Sequence, residues 1–352
     1  MNKNSHRADA GYHQDEKDSL AARPPLRGNP KALRVTKSAK TQRAGCAGTG
    51  TCILLAIAML VVLASTTFIR NRVWRDGVRL WEDVVEKSPA KVRPHYTIGV
   101  YYDKEGRMSE AMREYQTALR LGPDPLTDWA HNNLGNIFAK QGRFEEAIRE
   151  FKTTLADKPD DAAAHTNLGI IYAKQGRMED ALHEFQAAIQ SDPDDAGAHY
   201  AFGNAYQEQG RLDDAMREYR AALQHRPDYP EAHNNLGLLY GEQGRFAEAI
   251  QEFQAAIKSQ PDSAEAYNNL GIVLAKQGRY DEAIRAFQQA LLHGPENAEV
   301  HKNIGIAYDY EGRFEDAIRE FQTALRIDPG HAGVRNHLES TYKRLRNNRS
   351  VK

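Results

Sequence analysis

The chain has 352 residues, 41% hydrophobic and 27% charged, with a formal net charge of −1. Those proportions suit a soluble helical protein, but the charge is unevenly placed, about +6 over residues 1–51 and about −7 over the rest. No basic field covers the chain beyond residue 51, which argues against nucleic acid as the main partner. Residues 1–45 are rich in Lys, Arg, Ala, Ser, Pro and Gly without an apolar period, so a disordered tail is expected over 1–51. From Cys52 to Ile69 there is no charged residue. At about 1.5 Å per residue this run reaches roughly 27 Å, close to the thickness of a bilayer's hydrocarbon core. It is read as a transmembrane helix over 52–69 rather than a cleaved signal peptide, whose leader would be far too long. Lys31, Arg34, Lys37, Lys40 and Arg43 precede it, against Arg70, Arg72, Arg75 and Arg79 after it. That count puts the N-terminus in the cytoplasm and everything downstream in the periplasm or lumen of a single-pass membrane protein. Cys46 and Cys52 lie at or in this segment and are read as small apolar filler.

Seven copies of one pattern follow over residues 92–331. Gly135, Gly169, Gly203, Gly237, Gly271 and Gly305 stand 34 apart, and Gly142, Gly176, Gly210, Gly244, Gly278 and Gly312 follow each by seven, always with Arg next. In the unit Ala162–Asp195, His165, Leu168 and Tyr172 share one helical face, while Ala181, Phe185 and Ala188 share that of a second. Gly169 and Ala181 are small enough to let the two helices approach. Gly176 is placed to take the left-handed conformation that ends the first helix. Glu179 and Asp180 suit the start of the second, and Pro193 ends it. The first copy opens at Gly99, 36 residues before Gly135, which places a two-residue insertion near Asp124–Thr127. Leu274 replaces the aromatic held by Tyr172 and Tyr308. Upstream, Trp74, Gly77, Trp81, Val84 and Pro89 read as a second helix lacking its first, a half repeat over 70–91. Downstream, Val334, Leu338, Tyr342 and Leu345 form an apolar stripe in a capping helix and tail over 332–352.

His165, Leu168-Gly169, Tyr172, Ala181, Phe185 and Pro193 resemble the tetratricopeptide repeat signature. The resemblance implies an all-α fold, a right-handed superhelical α-solenoid of helix-turn-helix units. A second resemblance begins at Ile69. The stretch through Arg70-Asn71, Trp74 and on to Gly99 is similar to the junction of O-mannosyltransferase-like membrane proteins that carry such repeats at their C-terminus. It implies repeats outside the cytoplasm; with one apolar run in place of many, it implies no glycosyl transfer by this chain.

Two residue types recur in register. His95, His131, His165, His199, His233 and His301 invite a metal reading, but ligands must lie within about 2.1 Å of one ion. Histidines on helices 8–10 Å apart, with another helix between, do not share one. They are read as packing residues. Asn133, Asn167, Asn235, Asn269 and Asn303 stand two before each signature glycine, with Thr97 and Ala201 breaking the series. In the repeat family this slot faces the inner groove, and in a superhelix resembling that of O-GlcNAc transferase such asparagines hold an extended peptide. A side-chain amide can both donate to and accept from a main chain. Arg93 is the sole basic residue at the groove's outer slot, where Glu231, Glu265 and Glu299 stand later, so the groove favours a ligand with basic residues. No G-x-S-x-G, P-loop, H-E-x-x-H or paired C-x-x-C motif is present. The expectation is a non-enzymatic, membrane-anchored scaffold that holds protein or extended peptide partners, without cofactor, metal, nucleic acid or small-molecule substrate. The alternative is a non-catalytic substrate-binding accessory of an O-mannosyl- or O-GlcNAc-transferase-like glycosylation system.

Overall fold

A computed structural model of the protein describes residues 77–351, together with the single residue Met59. Among the described residues there are 16 α-helices and no strand. They fall into two compact units, divided between Ile171 and Tyr172.

The N-terminal unit opens with α1 (Gly77–Lys87) and continues through the hairpin α2 (Val92–Lys104) and α3 (Met108–Arg120). The hairpin α4 (Thr127–Lys140) and α5 (Phe144–Asp157) follows, then most of α6 (Ala162–Lys174). α1 presses Val78, Trp81 and Val85 toward Ile98, Val100 and Tyr102 of α2. The two inserted residues form a turn in which the Asp124 carboxylate accepts from the Leu126 N–H at 3.0 Å.

The C-terminal unit begins with the end of α6 and α7 (Met178–Ser191). Three hairpins follow: α8 (Ala196–Glu208) with α9 (Leu212–His225), α10 (Pro230–Glu242) with α11 (Phe246–Ser259), and α12 (Ala264–Lys276) with α13 (Tyr280–His293). The hairpin α14 (Ala298–Tyr310) with α15 (Phe314–Ile327) precedes the long α16 (Ala332–Val351).

Each hairpin is built on the same two glycines. The first removes a side chain where the helices cross. A Cβ at Gly203 would stand 2.6 Å from the Tyr219 ring, one at Gly237 2.8 Å from Phe253, and one at Gly271 2.6 Å from Phe287. Those rings are buried at 0 to 1% exposure, so the ring occupies the space the glycine leaves. The second sits at φ between +73° and +76° after every first helix from α2 to α14, which an L side chain adopts only at a cost. There the chain reverses through a Schellman closure: the Arg143 N–H donates to the Phe138 carbonyl at 2.9 Å, and the Gly142 N–H to Ala139 at 3.0 Å. The same bond runs from Arg211 to Tyr206 and from Arg245 to Tyr240, both at 2.9 Å.

α16 takes the place of a further first helix, packed on α15 and touching α14. It buries Val334 and Thr341 at 0 and 1% exposure. At the slot held by the crossing glycine in every repeat it carries Glu339, which is exposed.

The single-pass membrane expectation is corrected. Among the described residues no helix is both long and apolar enough to cross a membrane. α1–α15 have 11 to 14 residues, which at about 1.5 Å per residue is well short of the roughly 30 Å hydrocarbon core. α16 has 20 residues but carries Arg335, Glu339, Lys343, Arg344 and Arg346. Apart from Met59, the segment 52–69 lies outside the described residues, as do the tail over 1–51 and residues 70–76 with Trp74. The membrane anchor and the extracytoplasmic placement that depended on it are therefore withdrawn.

Candidate partner-binding face

Successive first helices touch directly in the C-terminal unit, α10 with α12, α12 with α14 and α14 with α16. No pair of successive second helices among the described residues makes comparable contact. The first helices thus occupy the inner side of this unit, and what they expose there forms its inner face.

The five register asparagines all sit on first helices, yet their surroundings differ. Asn167 is 6% exposed and donates from Nδ2 to Asn132 Oδ1 at 2.8 Å. Asn269 is 8% exposed and donates to Asn234 Oδ1 at 3.0 Å. Both tie one first helix to the preceding one. Asn235 is half-buried and donates to Asn204 Oδ1 at 3.0 Å, with the Tyr200 and Tyr219 hydroxyls at 3.3 and 3.4 Å. In the preceding repeat, where Ala201 breaks the series, Asn204 and Tyr200 thus supply the tie instead. Asn133 is half-buried, 3.4 Å from the Tyr115 hydroxyl, and Asn303 is half-buried at its slot on α14. Asn132 and Asn234 share a 34-residue slot with Asn268, one before the register asparagines, but Thr166, Tyr200 and Lys302 interrupt it, and Asn204 stands outside that slot.

The face has a layered order along each helix, because residues 3–4 apart share one side. Toward the helix starts stand Glu231, Glu265 and Glu299. Next come the asparagines, and beyond them Leu238, Ile272 and Ile306, all half-buried. At the helix ends stand Glu208, Glu242 and Lys276, all exposed. Some charges are already engaged. Glu299 pairs with Lys302 and, at 3.2 Å, with His331 on the approach to α16. Burial alone would raise its pKa, but the bonds from Lys302 and His331 prevail and lower it. Glu265 accepts from Asn234 Nδ2 at 3.0 Å. Asp309 is held by Arg344 of α16 at 2.6 Å.

The register histidines do another job. His199 places Nδ1 2.7 Å from Glu218 of the second helix and Nε2 3.0 Å from the Pro193 carbonyl. His233 repeats this with Glu252 at 2.6 Å and Pro227 at 2.9 Å, and His95 with Glu114 at 2.6 Å and Pro89 at 3.0 Å. A carbonyl only accepts, so Nε2 must carry a proton, and a carboxylate at Nδ1 favours a second one there. For His199 and His233, burial works against the charged ring, but the glutamate and the carbonyl outweigh it and raise the pKa. Each ring latches a hairpin to the loop before it. Among the described residues no group of three or more His, Cys, Asp or Glu side chains could hold a metal ion.

A feature missed from sequence marks the helix reversals, that at Gly278 excepted. The arginine after the left-handed glycine lies over the aromatic ring that closes the first helix: Arg177 over Tyr172 at 4.0 Å, Arg211 over Tyr206 at 4.2 Å and Arg245 over Tyr240 at 4.3 Å. The same guanidinium bonds an acid three residues on, as Arg245 does with Glu248 at 3.0 Å. The signal was present in the constant Gly-Arg pair and in the acid that always follows.

Comparison with known proteins agrees with this architecture. Residues 161–350 match the family model described as the cilia and flagella-associated protein 70 C-terminal domain. Residues 135–176 match a TPR repeat model, and residues 92–125 a tetratricopeptide repeat model. Over 76 residues, 22% of this chain, the sequence is 29% identical to human (Homo sapiens) protein O-mannosyl-transferase TMTC1, and the match spans 9% of that protein's length. Among solved structures, pilF of Pseudomonas aeruginosa superposes with a TM-score of 0.54 at 21% identity, over 61% of this chain and 96% of that one. The APC/C hetero-tetramer Cut9-Hcn1 gives 0.55 at 19% identity, over 75% of this chain and 52% of that one. Two-helix units closed by paired glycines, together with a family match over more than half of the sequence, place this chain among the tetratricopeptide repeat proteins, its residues 161–350 belonging to the cilia and flagella-associated protein 70 C-terminal domain family.

Proposed function

We propose that the protein is a scaffold whose first-helix face grips an extended segment of a partner protein. The observation that carries this reading is the inner face of the C-terminal unit, where half-buried Asn235 and Asn303 stand in register with the half-buried Leu238, Ile272 and Ile306. Repetition of one polar and one apolar contact at a fixed interval suits a chain laid along the stack, because a main chain repeats too. Asn235 and Asn303, which keep some exposure, are assigned to the ligand. Asn167 and Asn269 keep the stack closed and offer it at most a carbonyl oxygen. No reacting group is assigned: each register histidine has a structural partner in its latch.

The test is site-specific photocrosslinking on the full chain. A photoreactive residue at position 235 or 303 is expected to capture contiguous stretches of a partner's sequence, whereas one at Lys258, exposed on a second helix, is expected to capture little. Equal capture at position 258 would remove the first-helix face from the account. A second reading, an accessory that presents substrate to a glycosylation enzyme, is supported by the limited likeness to the O-mannosyl-transferase. It requires a glycosyltransferase among the proteins captured at position 235.

A further inference from the structure

We propose that the segment held by the inner face of α8–α14 is extended, left-handed and basic at every third residue. This rests on the binding reading above and specifies its ligand. The first argument is one of spacing. Neighbouring first helices in direct contact stand about 8–10 Å apart, and a polyproline-type chain advances about 3.1 Å per residue with three residues per turn, roughly 9.3 Å. One turn of such a chain therefore matches one rung of the stack, and residues three apart meet equivalent side chains on successive helices. A pleated strand, with its period of two, drifts out of step.

The second argument is charge. The start of each rung presents Glu231 and then Glu265, half-buried, while Glu208 and Glu242 stand exposed on the far side. Lys276 is the one cation facing them from the same first helices, α8–α12. The next glutamate, Glu299, is already paired with Lys302 and bonded to His331, and Arg344 of α16 occupies Asp309. The acidic field is thus strongest over α8–α12 and closed off by cations at the α16 end. Between the carboxylates, Leu238, Ile272 and Ile306 form a half-buried aliphatic line one rung apart. A chain with a basic residue toward the glutamates and an apolar one toward this line, repeated every third position, satisfies both.

The experiment uses the full chain and three fluorescent twelve-residue peptides. One is four repeats of Lys-Pro-Leu, one four repeats of Glu-Pro-Leu, and one has the first composition with its four lysines blocked at one end. Anisotropy titration is expected to show the first binding at least tenfold more tightly than either of the others. The double variant Glu231→Gln/Glu265→Gln is expected to lose at least tenfold of that affinity, with an unchanged melting profile. Equal binding of the glutamate peptide, or no loss in the double variant, overturns the charge argument; equal binding of the blocked peptide overturns the period of three. Ile272→Ser separates this inference from the reading beneath it. If the peptides bind without charge or register preference and Ile272→Ser abolishes binding, the face still binds chains and only the ligand class is wrong. If binding persists in Ile272→Ser, the face itself is wrong. Absence of binding by all three peptides overturns the inference, leaving the crosslinking at position 235 to judge the scaffold reading.

Discussion

Asn269 donates to Asn234 across 3.0 Å, and the bond joins the first helices of two successive repeats. Asn269 is 8% and Asn234 5% exposed, so neither group has water to replace the other. Replacing Asn269 by Ala should cost about 1–3 kcal/mol, because the Asn234 carbonyl oxygen is left buried without its donor. Asn303→Ala, at the same slot but half-buried, should stay within about 0.5 kcal/mol of the parent. Urea unfolding of the two variants checks this; equal losses would mean that the register asparagines do one common job.

Gly203 and Gly241 both lie inside first helices and should respond to Ala with opposite signs. A Cβ at Gly203 meets the Tyr219 ring at 2.6 Å, with the Ala215 carbonyl oxygen at 3.3 Å, whereas one at Gly241 meets only Val273 at 3.4 Å. Overpacking should cost Gly203→Ala about 1–3 kcal/mol. Gly241→Ala should gain about 0.5–1 kcal/mol from its lower backbone entropy. Thermal melts that move together would show that the crossing does not depend on the missing side chain.

The difference between these two glycines also marks what the sequence could disclose. Gly203 belongs to a 34-residue series, so its place at a helix crossing was legible, as was the left-handed turn at Gly176. Repetition converts a local steric need into a visible period. Gly241 belongs to no series, and its room could be known only from Val273 on the next first helix. The same holds within the candidate site. The slot of Asn235 and Asn269 was readable, but each amide's partner depends on which residue the preceding helix supplies: Asn204 in one case, Asn234 in the other. The sequence reads the histidines as packing residues, whereas His199 and His233 bond a carboxylate on one side and a carbonyl on the other. Their carboxylate partners, Glu218 and Glu252, stand 19 residues on and meet the rings only because the hairpin folds back. The apolar run at 52–69 shows the opposite hazard, since a strong compositional signal led to a membrane anchor that no described helix supports.

Arg245 and Arg279 occupy the same turn position, but only Arg245 lies over a ring, while Arg279 donates to Gln277 at 3.3 Å. Both bond an acid three residues on, Glu248 at 3.0 Å and Glu282 at 2.7 Å. Arg245 also lies 4.3 Å from the centre of the Tyr240 ring, whereas the corresponding residue beneath Arg279 is Leu274. Arg245→Ala should therefore cost about 0.5–1 kcal/mol more than Arg279→Ala, the worth of an exposed cation–π contact. Chemical denaturation of both variants checks this, and a Tyr240→Leu background should abolish the difference.

His199 and His233 predict how stability depends on pH. Burial opposes their charged form, but Glu218 with the Pro193 carbonyl, and Glu252 with the Pro227 carbonyl, raise both pKa values above the ordinary histidine value. A group whose pKa is higher in the folded than in the unfolded chain binds its proton more tightly when folded. Its contribution is then complete below the unfolded value, near pH 6.5, and fades as pH rises through the folded value. The double variant His199→Gln/His233→Gln should accordingly melt well below the parent at pH 6. That gap should narrow as the pH rises through the raised folded-state values, where the parent rings lose their second proton. Glutamine retains one donor for the carbonyl or the carboxylate, so what the comparison removes is chiefly the charge. A gap of constant size from pH 6 to 9 would show that the latches act through shape alone, with the ring proton making no contribution.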